Sequence, residues 1–388
     1  MSPRGDPNGR EERRQSGPGH RPPTPTVIDT DTGVDDAVAV VLAANSPELD
    51  VRALTTVAGN APVPECSRNV LLLADRLWGE GRPKVAEGAP APLARELLTA
   101  PEVHGRDGLG GELGTLPSPM MAALGIPAPG LIARERGATT CSPASGEHDG
   151  SAAARAGAPR TGPFGGRQRK GDAPAGGGRR RQPLLVATGP LTNLALALRA
   201  DPEALSGFGR IVIMGGALEV RGNTGPVAEF NFYVDPEAAD TVLSSGLDIT
   251  VVPLDATTRV VLKRERLESL SRWKESLEAS RAPGALARGE GGLAAIFARA
   301  LDHYIRYQRA ESGLDAGYMH DPVALAAAFA PGLVGTRETP LGVVTSDVDR
   351  GRSVEIDDGR PPVMVAINAD AAAILSLIEE RVLIPLFG

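Results

Sequence analysis

The chain reads as an α/β protein, an open and mostly parallel sheet flanked by helices, on three observations. From Thr26 onward, short runs rich in β-branched residues alternate with helical runs, the pattern of crossover units around a parallel sheet. Polar residues gather directly after the candidate strands, where ligand crevices open in such sheets. The 388 residues, 41% of them hydrophobic, suffice for a sizeable core.

Taken in order, the strands expected are Thr26–Asp29, Val51–Val57, Lys84–Ala86, Leu184–Ala187, Ile211–Met214 and Ile249–Pro253. Helices are expected at Asp35–Ala44, Pro64–Leu77, Leu191–Arg199, Pro236–Ser244, Lys263–Ser280, Leu293–Arg309, Pro322–Phe329 and Ala371–Leu383. Near the C-terminus, Leu341–Thr345, Ser353–Ile356 and Val363–Ile367 read as strands that extend the sheet. Residues 1–25, rich in Arg, Glu, Gly and Pro, read as a disordered tail, and 26–388 as one domain. That domain is interrupted at 117–182 by a low-complexity stretch of Gly, Ala, Pro and Arg. Such a composition buries too little apolar surface to offset its ordering entropy, so disorder is expected in place of the crossover helix a parallel connection needs.

Composition narrows the function. A formal net charge of -7 gives no reason to expect nucleic-acid binding, and Arg179 to Arg181 reads as a solvated charge run. No apolar run approaches the roughly 20 residues that span a bilayer. The first twenty residues have neither a signal peptide's apolar centre nor a transit helix, so a cytoplasmic setting is expected. Cys66 and Cys141 form no disulfide framework or metal-thiolate spacing and read as inert.

The chemistry starts in Asp29-Thr-Asp-Thr-Gly-Val-Asp-Asp36, four carboxylates in one turn between a strand and an apolar helix. Carboxylates this close repel, and no basic residue lies between Arg21 and Arg52. A hard divalent cation with oxygen ligands, calcium or magnesium, is the leading remedy. Gly59-Asn60, Thr188-Gly189, Met214-Gly215-Gly216 and Asp255 also follow strand ends, so five loops converge on one site.

With these loops set side by side, the chain resembles the inosine-uridine preferring nucleoside hydrolase family, calcium-dependent enzymes that cleave the N-glycosidic bond of ribonucleosides. The aspartate loop resembles the family's N-terminal cluster, with Thr32 where proline is usual. Thr55-Thr-Val-Ala-Gly-Asn60, His104-Gly-Arg-Asp-Gly-Leu-Gly110 and Ala187-Thr-Gly-Pro-Leu-Thr-Asn193 follow in the family's order. So do Ile213-Met-Gly-Gly216, Asn223 with Ala228-Glu-Phe-Asn231, Asp235-Pro-Glu-Ala-Ala239 and His320-Asp-Pro322. The resemblance implies calcium held by Asp31, Asp36, Asp321 and the Thr188 carbonyl, with ribose hydroxyls bound by Asp35, Asn223, Glu229 and Asn231. It implies a homodimer or homotetramer acting on a small nucleoside in purine or pyrimidine salvage. A water on the calcium would lose its proton to Asp31 and attack C1′ through an oxocarbenium-like transition state. His320, beside the ligand Asp321, is the acid expected for the leaving base. Asn60 and Met214 belong to the substrate pocket in this reading. His104, with Tyr304 and Gln308 four apart on one helical face, points to a pyrimidine or broad base preference.

Other readings compete. An Asp-rich turn after a strand also serves as a plain helix N-terminus. Val27-Ile-Asp-Thr-Asp-Thr32 resembles the nucleophile loop of haloacid-dehalogenase-like magnesium phosphatases, which also need a well-placed lysine. The 117–182 stretch, finally, suggests a non-catalytic relative or a frameshifted gene whose sheet is bare on one face.

Overall fold

A computed structural model describes residues 22–111, 127–137, 181–225, 227–281, 286 and 292–388. The strands are β1 (Thr24–Thr30), β2 (Leu49–Thr56), β3 (Lys84–Ala86), β4 (Leu184–Ala187), β5 (Arg210–Met214), β6 (Ile249–Val252), β7 (Val261–Lys263), β8 (Ala316–Tyr318), β9 (Val334–Thr339), β10 (Leu341–Val343), β11 (Ser353–Glu355) and β12 (Val363–Ala369). The helices that matter to the argument are α1 (Val34–Ala44), α2 (Val63–Trp78), α3 (Pro101–His104), α4 (Ala128–Glu135), α5 (Thr192–Ala200), α6 (Phe230–Val234), α7 (Pro236–Leu243), α8 (Leu254–Thr257), α9 (Arg264–Glu268), α10 (Trp273–Arg281), α11 (Gly292–Ser312) and α12 (His320–Phe329).

Eight strands form the main sheet in the order β3-β2-β1-β4-β5-β6-β12-β9. All neighbours are parallel except the edge pair β12 and β9. The chain runs outward from β1 through β2 to β3, then returns to the other side of β1 and runs outward again from β4 to β6. The reversal leaves a crevice at the carboxyl ends of β1 and β4, where a ligand site is expected in this class of sheet.

Strand alternation divides the core into two layers. Val27, Leu185, Ile211, Ile213 and Val251 face one side, whereas Ile28, Val186, Val212 and Val252 face the other. Helices α1, α11 and α12 cover the second side, and α4, α5 and α7 the first. Helix α1 is buried from Val34 to Ala43, which is why it reads as apolar all round and shows little amphipathic pattern.

The structure corrects several expectations. The 117–182 stretch is not without structure throughout: α4 lies inside it, and its Ala128, Leu131 and Ile132 are buried against the layer that contains Val27, Ala53 and Leu194. The sheet is therefore covered there, while 117–126 and 138–180, with Cys141, lie outside the described residues. Thr24 and Pro25, assigned to the tail, pair with Leu49 and Asp50 in the sheet, and residues 1–21 are likewise not described. The helix expected over Lys263–Ser280 is broken: β7 pairs antiparallel with β8, and α9 and α10 follow separately. β10 and β11 pair with each other instead of extending the sheet, whose edge is β9, a strand absent from the expectation.

Truncating α4 tests its docking. Ile132 is fully buried, so Ile132→Ala is expected to cost about 2–5 kcal/mol in urea unfolding. A loss under about 0.5 kcal/mol would mean that α4 does not cover the sheet.

Candidate functional site

Residues 29–36 turn from β1 into α1 at the switch point, and the turn is tightly held. Asp36 accepts from the Thr30 hydroxyl (2.5 Å) and the Thr188 hydroxyl (2.7 Å) through Oδ1. Through Oδ2 it accepts from the Gly33 N–H (2.8 Å) and Asn60 Nδ2 (3.1 Å). Asp31 accepts the Asn60 N–H through Oδ2 (2.7 Å), while its Oδ1 is buried without a hydrogen-bond partner. The loops come this close because they carry glycine. A Cβ on Gly59 would overlap Asp31 Oδ2, and one on Gly33 would sit 2.8 Å from His104 Nδ1. Thr32 adopts φ 41°, a left-handed conformation that costs a β-branched residue about 1–3 kcal/mol.

Oxygens of Asp35, Asp36 and Asp321 approach within 4.8 Å of one another, all three side chains buried. Burial, then the neighbouring carboxylates, holds Asp31 and Asp321 well above the usual range and pushes Asp35 up to about 7. The charged neighbours acting most strongly on these three groups are other carboxylates, and among the described residues no basic side chain is among the leading influences on them. An orphaned buried oxygen on Asp31, a knot of acidic oxygens and a carbonyl at the end of β4 together fit a hard, oxygen-seeking divalent ion. The cluster differs from the expected ligand set in one respect: Asp35 joins Asp36 and Asp321, whereas the Asn60 N–H draws Asp31 to the side. The Thr188 carbonyl also accepts Asn231 Nδ2 at 2.8 Å, which leaves it a second lone pair. Asp29, the first carboxylate of the loop, is bound by the Thr55 hydroxyl and Asn193 Nδ2 and joins the strands.

The crevice opens into a cavity of about 510 Å³. Asp35, Asn60, Thr188, His320 and Asp321 line it together with Met214, Asn223, Glu229, Asn231, His104, Tyr304 and Gln308. Every residue expected to bind substrate thus lines the cavity, and Asp31 and Asp36 lie directly behind the lining. Glu229 caps α6 with Oε1 on the Asn231 N–H, and its Oε2 accepts from Gly216 and Phe232. Burial pushes it up to about 7. Exposed Asn223 accepts the Phe230 N–H.

Burial favours the neutral form of both His104 and His320. His104 Nδ1 accepts the Val34 N–H (3.1 Å), which places its proton on Nε2, and burial pushes its pKa down to about 3. Its ring stacks on Tyr304 with centroids 5.6 Å apart. His320 Nδ1 lies 2.7 Å from the Thr257 hydroxyl, its ring stacks on Tyr318, and burial pushes it down to about 4. For His320, expected as the acid for the leaving base, burial favours the neutral ring.

Sequence reading missed several supports. Asp107, inside the His104 motif, accepts from the Leu109 and Gly111 N–H groups and so folds the loop behind His104. Tyr307, Tyr318 and Arg221 line the cavity, and Thr257 orients His320. Cys66, read as inert, donates its thiol hydrogen to the Asp31 carbonyl. Asp255 accepts from Leu218 and Glu219, a structural role, and Trp78 and Trp273 do not line the cavity.

The chain is similar to known proteins over most of its length. It is 32% identical over 370 residues to "Probable uridine nucleosidase 2" of Arabidopsis thaliana, covering 92% of this chain and 97% of that one. It is 34% identical over 363 residues to "Pyrimidine-specific ribonucleoside hydrolase RihA" of Shigella boydii, with the same coverage. The solved structure of a plant nucleoside hydrolase, PpNRh1, superposes with a TM-score of 0.72 at 31% identity, covering 95% of this chain and all of that one. A family profile described as inosine-uridine preferring nucleoside hydrolase matches residues 26–376, and with the aspartate loop, the histidines and the sheet order in place the chain belongs to that family.

Proposed function

We propose that the protein hydrolyses the N-glycosidic bond of ribonucleosides to free base and ribose, with calcium held by Asp31, Asp36, Asp321 and the Thr188 carbonyl. The observation that carries this reading is the knot of buried carboxylates at the floor of a cavity walled by Asn223, Glu229 and Asn231. A hard divalent ion there would acidify a water and draw ribose hydroxyls toward the carboxylates. Asp31 takes the proton of the attacking water on its unpaired Oδ1. As the water oxygen bonds to C1′, the bond from C1′ to the base nitrogen breaks and its electron pair leaves with the base. Positive charge then develops on the sugar, and Asp35 and Glu229, buried beside it, stabilise that charge. His104 presents Nε2–H to the departing base, and His320 does the same when the Thr257 hydroxyl donates to its Nδ1.

Pyrimidine nucleosides are the preferred substrates in this reading, supported by His104 on Tyr304 in the base subsite and by the two relatives named for uridine and pyrimidine nucleosides. Assembly as a homodimer or homotetramer and a cytoplasmic role in salvage belong to the same proposal. Among the described residues no helix is long and apolar enough to cross a membrane. A phosphatase reading fails because no lysine is among the described residues of the cavity. A non-catalytic relative would not need to keep Asp31, Asn60, His104 and Asp321 around one cavity.

Three measurements test the proposal. Turnover of uridine, cytidine, inosine and adenosine, with and without chelator, should show uridine or cytidine ahead and activity lost on chelation, returning with calcium. Asp31→Ala should lower kcat about 10²–10⁴-fold, and a smaller loss would remove Asp31 as the base. His104 gives the pH arm. Its folded pKa of about 3 lies below the ordinary 6.5, so its contribution is complete above pH 6.5 and is lost as pH falls toward 3. Between pH 7 and pH 5 the wild type should lose about 2 kcal/mol relative to His104→Gln in paired urea titrations. A constant difference would mean that the imidazole titrates alike in the folded and unfolded chains.

A further inference from the structure

We propose that Cys66 and Thr32 are positioning residues that act as one latch on Asp31, an inference that rests on Asp31 being the base. Cys66 Sγ lies 2.8 Å from the Asp31 carbonyl oxygen and 3.4 Å from that of Ala61, so its one hydrogen can serve either, and the Thr32 hydroxyl donates back to the Cys66 carbonyl at 3.3 Å. Asp31, Thr32 and Cys66 are all fully buried. These contacts tie two consecutive residues of the aspartate turn to a single residue in α2, a sixteen-residue helix that buries Val70, Leu72 and Leu73 in the core.

The latch acts where the turn is least stable by itself. Thr32 has φ 41°, a conformation a threonine holds only when its surroundings impose it. With φ fixed near −65°, a proline at this position could not follow this path. The Thr32 N–H, which proline lacks, bonds the Thr30 hydroxyl at 3.1 Å, and that hydroxyl in turn donates to Asp36. Asp31 is thus held at its carbonyl by Cys66 and at Oδ2 by the Asn60 N–H, and Oδ1 is the one polar atom of its side chain left for chemistry. Without the thiol the turn retains the strain but loses the tie that aims Oδ1.

The test is steady-state hydrolysis of uridine by the full chain with saturating calcium. Cys66→Ala and Thr32→Val should each lower kcat about 10-fold or more with KM changed less than about two-fold, because aim and not affinity is lost. Cys66→Ser, which keeps a donor, should recover most of the rate, and the double variant should be no slower than the worse single variant, because the bonds form one unit. An unchanged kcat in Cys66→Ala overturns the proposal, as does a Cys66→Ser as slow as Cys66→Ala, a KM that rises in step, or additive losses. Should Cys66→Ala fail to fold, Thr32→Val carries the same test, since it removes only a hydroxyl. Asp31→Asn run alongside separates the two failures. If Asp31→Asn turns over normally, the reading of Asp31 as base falls. If it is inactive while Cys66→Ala is fully active, only the latch falls.

Discussion

Repulsion among buried carboxylates is the constraint around which this protein is built. Asp29, Asp31, Asp35, Asp36 and Asp321 are all buried, and no fold tolerates that much negative charge without dense hydrogen bonding and a place for a cation. The structure distributes the load unequally. Asp36 takes four donors, two on each oxygen, and is satisfied by the protein itself, whereas Asp29 takes two donors on Oδ1 and keeps a buried, unpartnered Oδ2 within the sheet. Asp31 is left with a bare oxygen, and Asp35 and Asp321 face the cavity. Unsatisfied charge is concentrated where it is chemically useful.

Sheet topology is what makes this concentration possible. Because the chain reverses direction on either side of β1, the turn after β1 and the turn after β4 rise side by side with no strand between them. Asp29 pairs in register with Ala187, which brings Thr188 to the aspartate turn. At the N-terminus of α1 the Gly33 and Val34 N–H groups bond Asp36 and His104, and the helix dipole favours the acidic Asp35 and Asp36 of its first turn. Helix α12, buried along its length, enters from the opposite side with Asp321 in its first turn, so two helix N-termini face one acidic knot. Their dipoles offset part of the repulsion, and the remainder is the driving force for binding a divalent ion.

How much of this was legible in the sequence follows the range of each signal. The aspartate turn, the His320-Asp321 pair and the polar residues at strand ends are local patterns, and the structure brings them to one cavity. The supports that orient them are not local. Cys66 touches Asp31 across 35 positions, and a lone thiol in an amphipathic helix has no pattern that separates it from core packing. Thr257 and His320 meet only because β7 and β8 pair, and three-residue strands are too short to show alternation. Helix α4 was hidden for a different reason: eight residues that bury only Ala128, Leu131, Ile132 and Glu135 vanish when composition is averaged over a long stretch rich in Gly, Ala and Arg. The edge strand β9 exposes alternate residues, and its Arg337 and Glu338 gave it the look of a loop.

The protonation states of the pocket also oppose one another in a way that bears on mechanism. Glu229, pushed up to about 7 by burial, contributes stability that is complete at low pH and is lost as pH rises through 7. His104 and His320, pushed down by burial, do the reverse, and their contributions are lost as pH falls below 6.5. Near neutral pH both histidines keep a single ring proton while the carboxylates are being driven toward ionisation. A neutral imidazole is a weak acid, so in the proposed mechanism the pocket would not protonate the base before the bond breaks. It offers His104 Nε2–H, fixed in place by the Val34 N–H on the other ring nitrogen, to whatever negative charge the base acquires during departure. In the proposed mechanism the rate would depend on how far the sugar has already become cationic, with Asp35 and Glu229 on the negative side of the pocket stabilising that charge.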